Sequence, residues 1–193
     1  MHANEFPIRS LKLSYGYDTH LLGQDPTTGK DNFMLSMKRN GDEQITYLRE
    51  AELLLTNEFW SGFSYKFSLN HKREYATRFT AFNRVGDGSA VPHYDMTSAT
   101  LTLRYAPHET FIQSRTSRSP INHQHPVFVL THTAAKSGVL GSDFDYQRTD
   151  FKYTQRIWLS AFGYVDVNLM AGKLWTQSPF TMLCIPNANL SYT

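Results

Sequence analysis

Phe63-Ser64-Tyr65-Lys66-Phe67-Ser68-Leu69-Asn70 alternates without interruption, with apolar or aromatic side chains on one parity and polar ones on the other. A backbone whose side chains repeat every two residues sorts the two sets onto opposite faces, whereas a helix would scatter both around its circumference. The stretch is therefore a β-strand with one apolar and one polar face. Working outward, the same period governs Leu11, Leu13, Tyr15 and Tyr17 against Lys12, Ser14 and Gly16, and Phe33, Leu35 and Met37 against Asn32, Ser36 and Lys38. Further along, Ala99, Leu101, Leu103 and Tyr105 oppose Ser98, Thr100, Thr102 and Arg104. Phe151, Tyr153, Ile157 and Leu159 oppose Asp150, Lys152, Thr154 and Arg156, and Val165, Val167, Leu169 and Ala171 oppose Asp166, Asn168 and Gly172.

Asn40-Gly41-Asp42-Glu43, Ser61-Gly62 and Ser160-Ala161-Phe162-Gly163 fit hairpin turns, which makes sequential strands antiparallel neighbours. Between Ile45 and Phe59, local preference and context conflict. Leu48 to Leu55 are good helix formers, yet a lone helix would interrupt the meander, while Ala51, Leu53 and Leu55 against Glu50, Glu52 and Thr56 continue it. A strand is the expectation there. Val127 to Ala135 reads as a strand with less distinct faces, and 18–31, 72–95, 107–125 and 173–189 read as long loops rich in Gly, Pro, Asp, Asn and His. The expected fold class is all-β, an antiparallel meander of about eight to ten strands.

Composition narrows the function classes. The 193 residues suffice for one folding unit. Charged residues make up 19% and aromatics 14%, which argues against a disordered chain. The formal charge of +2 has no basic block behind it, so a nucleic-acid partner is not expected. Cys184 is the only cysteine, which leaves no intrachain disulfide and no cysteine-based zinc site. No run of about 18 apolar residues could form a spanning helix, and Met1 to Glu5 does not open an export signal.

The polar face of the proposed strands collects Lys12, Lys38, Glu50, Glu52, Lys66, Arg104, Asp150, Lys152, Arg156 and Asp166, and the apolar face carries almost no charge. A soluble β-sandwich or a lipocalin-like barrel binding an apolar ligand also has two-faced strands. Three features favour a transmembrane barrel instead. The strands are long for a globular sheet. Tyr15, Tyr17, Trp60, Phe63, Tyr105, Trp158, Phe162, Tyr164 and Trp175 fall near strand ends, where an interfacial girdle would hold them. Charges of both signs on one face suit a wet or salt-bridged lumen and not a dry core. The ten charged residues are then expected to line the lumen, with Leu11, Leu35, Phe67, Leu103, Ile157 and Val167 facing lipid. Their near balance of sign predicts weak ion selectivity or none.

Arg104-Tyr105-Ala106-Pro107, Pro126-Val127-Phe128-Val129-Leu130-Thr131-His132-Thr133 and Gly138 to Tyr146 resemble a family of Bacteroidetes outer-membrane proteins of unknown function. The likeness continues through Arg156 to Val167, Ala171-Gly172-Lys173 and Ile185 to Thr193, with an earlier block at Tyr15-Gly16-Tyr17 and Leu22-Gly23-Gln24-Asp25. It covers most of 11–193 and is most specific after residue 104. It implies a surface-antigen-like β-barrel preceded by an exported carboxypeptidase-regulatory-like domain. On that likeness, residues 1–193 are expected to be a single outer-membrane barrel segment, truncated at both ends and lacking the usual terminal aromatic strand. The expected role in the outer membrane of a Gram-negative bacterium is structural, assembly-related or transport-related, without catalysis or cofactor. The implied partners are outer-membrane lipid and the remainder of the barrel and its N-terminal domain.

Chemical motifs are weak. Gly23 to Asp31 contains Gly29-Lys30, but its glycine spacing is wrong and Asp31 stands where a P-loop needs Ser or Thr. His123, His125 and nearby His132 could ligate a metal, although Pro120 and Pro126 bracket the first two in a loop without acids. Asp143 and Asp145 lack a continuing calcium-ligand series. Gly62-Phe63-Ser64-Tyr65-Lys66 lacks the last glycine of a nucleophile elbow, and Asn189-Leu190-Ser191 matches a glycosylation acceptor by pattern alone. Glu50, Glu52, Asp150 and Asp166 could include a catalytic pair, but pairing with Lys66, Arg104 and Arg156 is the ordinary reading.

Overall fold

The protein was analysed as a computed structural model that describes residues 7–21, 45–78, 80–84, 88–113, 118–120 and 125–178. Among these residues eleven strands run in chain order: β1 (Arg9–Leu21), β2 (Ile45–Glu58), β3 (Phe63–Tyr75), β4 (Phe82–Asn83), β5 (Ala90–Val91), β6 (His93–Tyr105), β7 (Phe111–Gln113), β8 (Arg118–Pro120), β9 (Val127–Ala135), β10 (Tyr146–Trp158) and β11 (Tyr164–Leu174). Seven of them form one antiparallel sheet in the order β1-β2-β3-β6-β9-β10-β11. The order is that of the chain, so the sheet is a meander, and among the described residues of its connections lie the small hairpins β4-β5 and β7-β8. The expected strand at Phe33 to Met37, the turn at Asn40 to Glu43 and the Gly23 to Asp31 segment lie outside the described residues, as do His123, Gln124 and Asn189 to Ser191.

β2 is extended despite its helix-forming composition, because it is flanked on both sides: Leu53 stands opposite Leu13 of β1 and Leu69 of β3. Central strand pairing overrides intrinsic preference here. The β2-β3 turn needs Gly62, whose φ is +79° and where a Cβ would collide with the Ala106 carbonyl. That carbonyl lies close because the Ala106 N–H donates to the Gly62 carbonyl at 2.9 Å, which ties this turn to the end of β6. The β10-β11 turn is a short 3₁₀ segment, Ser160–Phe162, closed by Gly163 at φ +91°.

Four strands reach further than their sequence pattern suggests. β1 runs on to Leu21, β3 extends to Tyr75, β6 starts at His93 and β11 runs to Leu174, inside stretches that read as loop. A second correction concerns the faces: the apolar parity is not free of charge, since Arg49, Arg73, Asp95 and Lys173 stand on it at one end of the sheet. At that end both parities are polar, and the alternation that marks a strand fades.

Candidate functional site: a polar face closed at one end and an apolar belt behind it

Lys12, Glu50, Glu52, Lys66, Arg104, Asp150, Lys152, Arg156 and Asp166 share one face by register; Lys38 lies outside the described residues. Of the pairings expected from sequence, one forms across a ladder. Arg156, directly opposite Asp166, donates from Nε and Nη2 to its two carboxylate oxygens, both at 2.7 Å. Arg104, Asp150, Glu50 and Glu52 take other partners, and no ion pair is formed by Lys12, Lys66 or Lys152 among the described residues. Arg104 donates to both oxygens of Glu109 at 2.7 and 2.6 Å, and Asp150 accepts from Nε and Nη2 of Arg148 at 2.9 and 2.7 Å. Glu50 accepts from the Asn70 amide, and Glu52 from the Ser14 hydroxyl at 3.5 Å.

At the end of the sheet that bears the β3-β6 and β9-β10 connections, this polar face is covered. Glu74 and Thr46 are fully buried, and Oε1 of Glu74 accepts from the Thr46 hydroxyl at 2.6 Å. The Tyr94 hydroxyl donates to Oε2, and Lys72 Nζ lies 3.8 Å from the same oxygen. A buried carboxylate persists only when donors of this kind surround it. Over this network Phe82 packs on Tyr94 and Tyr94 packs edge-on against Phe144. Beside it Met96, Ala135 and Tyr146 form the buried cluster, with Phe144 and Leu174 against them. Sequence reasoning missed the Glu74 network because Lys72, Glu74, Phe82 and Tyr94 fall in 72–95, a stretch read as loop. At the opposite end, a cavity of about 650 Å³ opens beside Glu58, Trp60, Arg104, Glu109 and Phe111.

The histidines and aspartates singled out in the sequence have structural partners. His125 packs at a tilt against His108, and His132 Nδ1 bonds the Thr149 hydroxyl at 2.9 Å. Asp143 accepts from the Asp95 N–H at 2.7 Å. Asp145 accepts from the Ser137 N–H and from Lys136 Nζ, at 2.7 and 3.0 Å, and these donors hold its carboxyl below the usual aspartate range, the Ser137 amide first. Among the described residues no group of three or more His, Cys, Asp or Glu could hold a metal ion.

The other face is a belt of exposed apolar side chains. Leu11, Leu13 and Tyr15 are 70, 78 and 76% exposed. Along β9, Phe128 and Leu130 are exposed while Thr131 and Thr133, on the polar parity, are half-buried. A flat single sheet would expose both faces alike, so this sheet curls around its polar side. The edge of the belt is oblique to the strands. The apolar run of β1 ends at Thr19 and that of β11 at Lys173; between them the runs end at Arg49, His71, Thr97, His132 and Thr149, with Gln155 a polar interruption inside the belt on β10. Following the ladder level from Lys173 through Thr149, His132, Leu101, Phe67 and Leu55 leads to Leu11, eight residues short of Thr19. The edge is level from β11 to β9 and steps by eight residues from there to β1, an average of little more than one residue per strand over the sheet. With about 3.3 Å per residue and about 4.8 Å between strands, the strands are inclined to the belt at roughly 40° from its normal.

An all-β meander curled around a charge-compensated face, with its apolar side chains outward, is the class of protein this geometry defines. Residues 50–182 match the family described as "Family of unknown function (DUF5686) C-terminal domain", and the chain belongs to it. No curated protein and no solved structure matches the chain.

Proposed function

We propose that this chain is a segment of a transmembrane β-barrel in the outer membrane of a Gram-negative bacterium of the Bacteroidetes type. Its apolar belt meets lipid, and its polar face turns towards an interior occluded at one end by the Glu74 network and the Met96 cluster. The role is structural, assembly-related or transport-related, with outer-membrane lipid and the remainder of the barrel as partners. The oblique belt is the observation that carries this reading. A planar bilayer crossing strands tilted by about 35–45° demands a band that slips by about one residue per strand, and the belt slips by about that amount on average over its seven strands. A soluble barrel holding an apolar ligand needs Phe67 and Leu69 inside, against their exposure of 37 and 42%.

Single cysteines at Phe67 and Ser68, spin-labelled after reconstitution of the chain in lipid vesicles, test it. The label at 67 is expected to respond to a lipid-soluble relaxant and that at 68 to a water-soluble one. Equal access of the water-soluble relaxant to both positions would overturn the proposal.

A further inference from the structure

The outward residues just beyond the belt edge differ from both the belt and the polar face. Arg49 lies with its guanidinium carbon 5.8 Å from the Tyr17 ring and 5.4 Å from the Tyr75 ring, and Tyr17 stacks on Tyr47. Across the β2-β3 ladder Arg49 stands directly opposite Arg73, an unfavourable juxtaposition of like charge. Arg73 is neutralised by Asp95, which accepts from its Nε and Nη2 at 2.6 Å each. Arg49 has aromatic faces and no carboxylate among the described residues. Further round the same edge, Lys173 Nζ sits 3.8 Å from the Trp175 ring centre, again with no carboxylate, and His71 and His132 hold threonine hydroxyls.

We propose that this edge binds the phosphates of anionic membrane lipids, with Arg49 on β2 as the principal anchor and Lys173 on β11, five strands away, as a separate second one. Charge complementarity selects the occupant. Among the described strand residues the outward edge carries Arg49, Arg73 and Lys173 against Asp95, so two of these cations have no carboxylate partner there, at the height where a lipid in contact with the belt places its headgroup. A guanidinium that lies near two rings and makes no ion pair with a carboxylate among the described residues has N–H donors to offer phosphate oxygens, which Arg can bind with two parallel hydrogen bonds. Tyrosine rings on either side suit the interfacial layer. The inference rests on the membrane reading and adds a lipid preference to it.

The chain, reconstituted in phosphatidylcholine vesicles containing phosphatidylglycerol, tests the proposal by tryptophan quenching. Either lipid is supplied with brominated acyl chains, and the relative quenching gives the relative affinity of each for the protein surface. Phosphatidylglycerol is expected to be preferred by roughly fivefold, the size of one basic side chain at an anionic surface. Arg49→Gln with Lys173→Gln should bring the preference to about one, whereas Asp95→Asn, which releases Arg73, should raise it. Inorganic phosphate should lower it no more than sodium chloride of equal ionic strength; a larger effect would mean a free-anion site and overturn the lipid assignment. Equal quenching by the two lipids in the unmodified chain, or an unchanged preference in the double variant, would overturn the inference alone. No quenching by either brominated lipid would overturn the membrane reading with it. Because brominated phosphatidylcholine reports insertion, a variant that fails to insert is recognised as such, and Arg49→Lys then serves as the charge-retaining control.

Discussion

The two halves of β3 obey one backbone rule and end in opposite environments. From Tyr65 to Leu69 the apolar parity is outward and the polar parity carries Lys66 and Ser68. From His71 to Tyr75 the outward parity is His71, Arg73 and Tyr75, and the inward parity delivers Lys72 and Glu74 into the most buried site described in the molecule. The first half owes nothing to a covered core. The second is packed like the interior of a water-soluble domain, with loops laid over it. The difference teaches that alternation fixes only which side chains share a face; what covers each face decides which of them is buried.

The largest effect is expected where cover and charge coincide. Glu74→Ala would strand the Thr46 and Tyr94 hydroxyls and the Lys72 ammonium in a buried site, at a cost of about 3–5 kcal/mol. Urea unfolding of the inserted chain measures it, and Glu74→Gln, which retains an acceptor, should lose clearly less. A cost near that of a surface substitution would mean that the loops do not cover this end.

The belt half yields the next largest effect. Leu101→Arg and Thr102→Arg differ by one position in β6 and stand on opposite faces. In lipid the first is expected to destabilise by about 2–4 kcal/mol and the second by much less. Since Leu101 is 41% exposed, a sheet bathed in water on both sides would tolerate both substitutions alike. Equal stability of the two variants would therefore remove the distinction between the faces.

Legibility in the sequence follows the same division. Phe63 to Leu69 could be read from its pattern because the outward residues are apolar wherever the belt crosses the strand. Tyr15 and Ala99 could be read likewise. His71 to Tyr75 and His93 to Thr97 could not, because beyond the belt edge outward residues are as polar as inward ones and the two-residue period has no contrast. β2 needed its neighbours: helix formers such as Glu50 and Leu54 were placed in a strand by the flanking hairpins, which is a tertiary argument. Arg156 with Asp166 was legible as a pair of opposite charges on one face, and the ladder across the recognisable Ser160–Gly163 turn sets them opposite one another. The Thr46-Glu74-Tyr94 network draws on three strands and depends on their register, which no local pattern reveals. Arg49 illustrates the same limit, since its place between Tyr17 and Tyr75 requires both ladders of β2.

The smallest effect concerns the β9-β10 loop that brings Phe144 onto the buried cluster. Asp145 is held in its ionised form chiefly by the Ser137 amide and secondarily by Lys136, so its carboxyl titrates below the ordinary value. For a carboxylate depressed by folding, the contribution to stability is complete above the unfolded value of about 3.9 and disappears as pH falls through the lower folded value. The loop is therefore expected to hold its conformation unchanged from neutrality down to about pH 4 and to loosen only below that. The Ser137 amide proton resonance, followed through an acid titration, reports the event directly. Asp145→Asn should remove the titration. Added salt should weaken only the Lys136 share, because a short hydrogen bond to a backbone amide is screened far less than an exposed ion pair. A Ser137 midpoint at or above the ordinary aspartate value would show that the amide is not what holds the carboxylate.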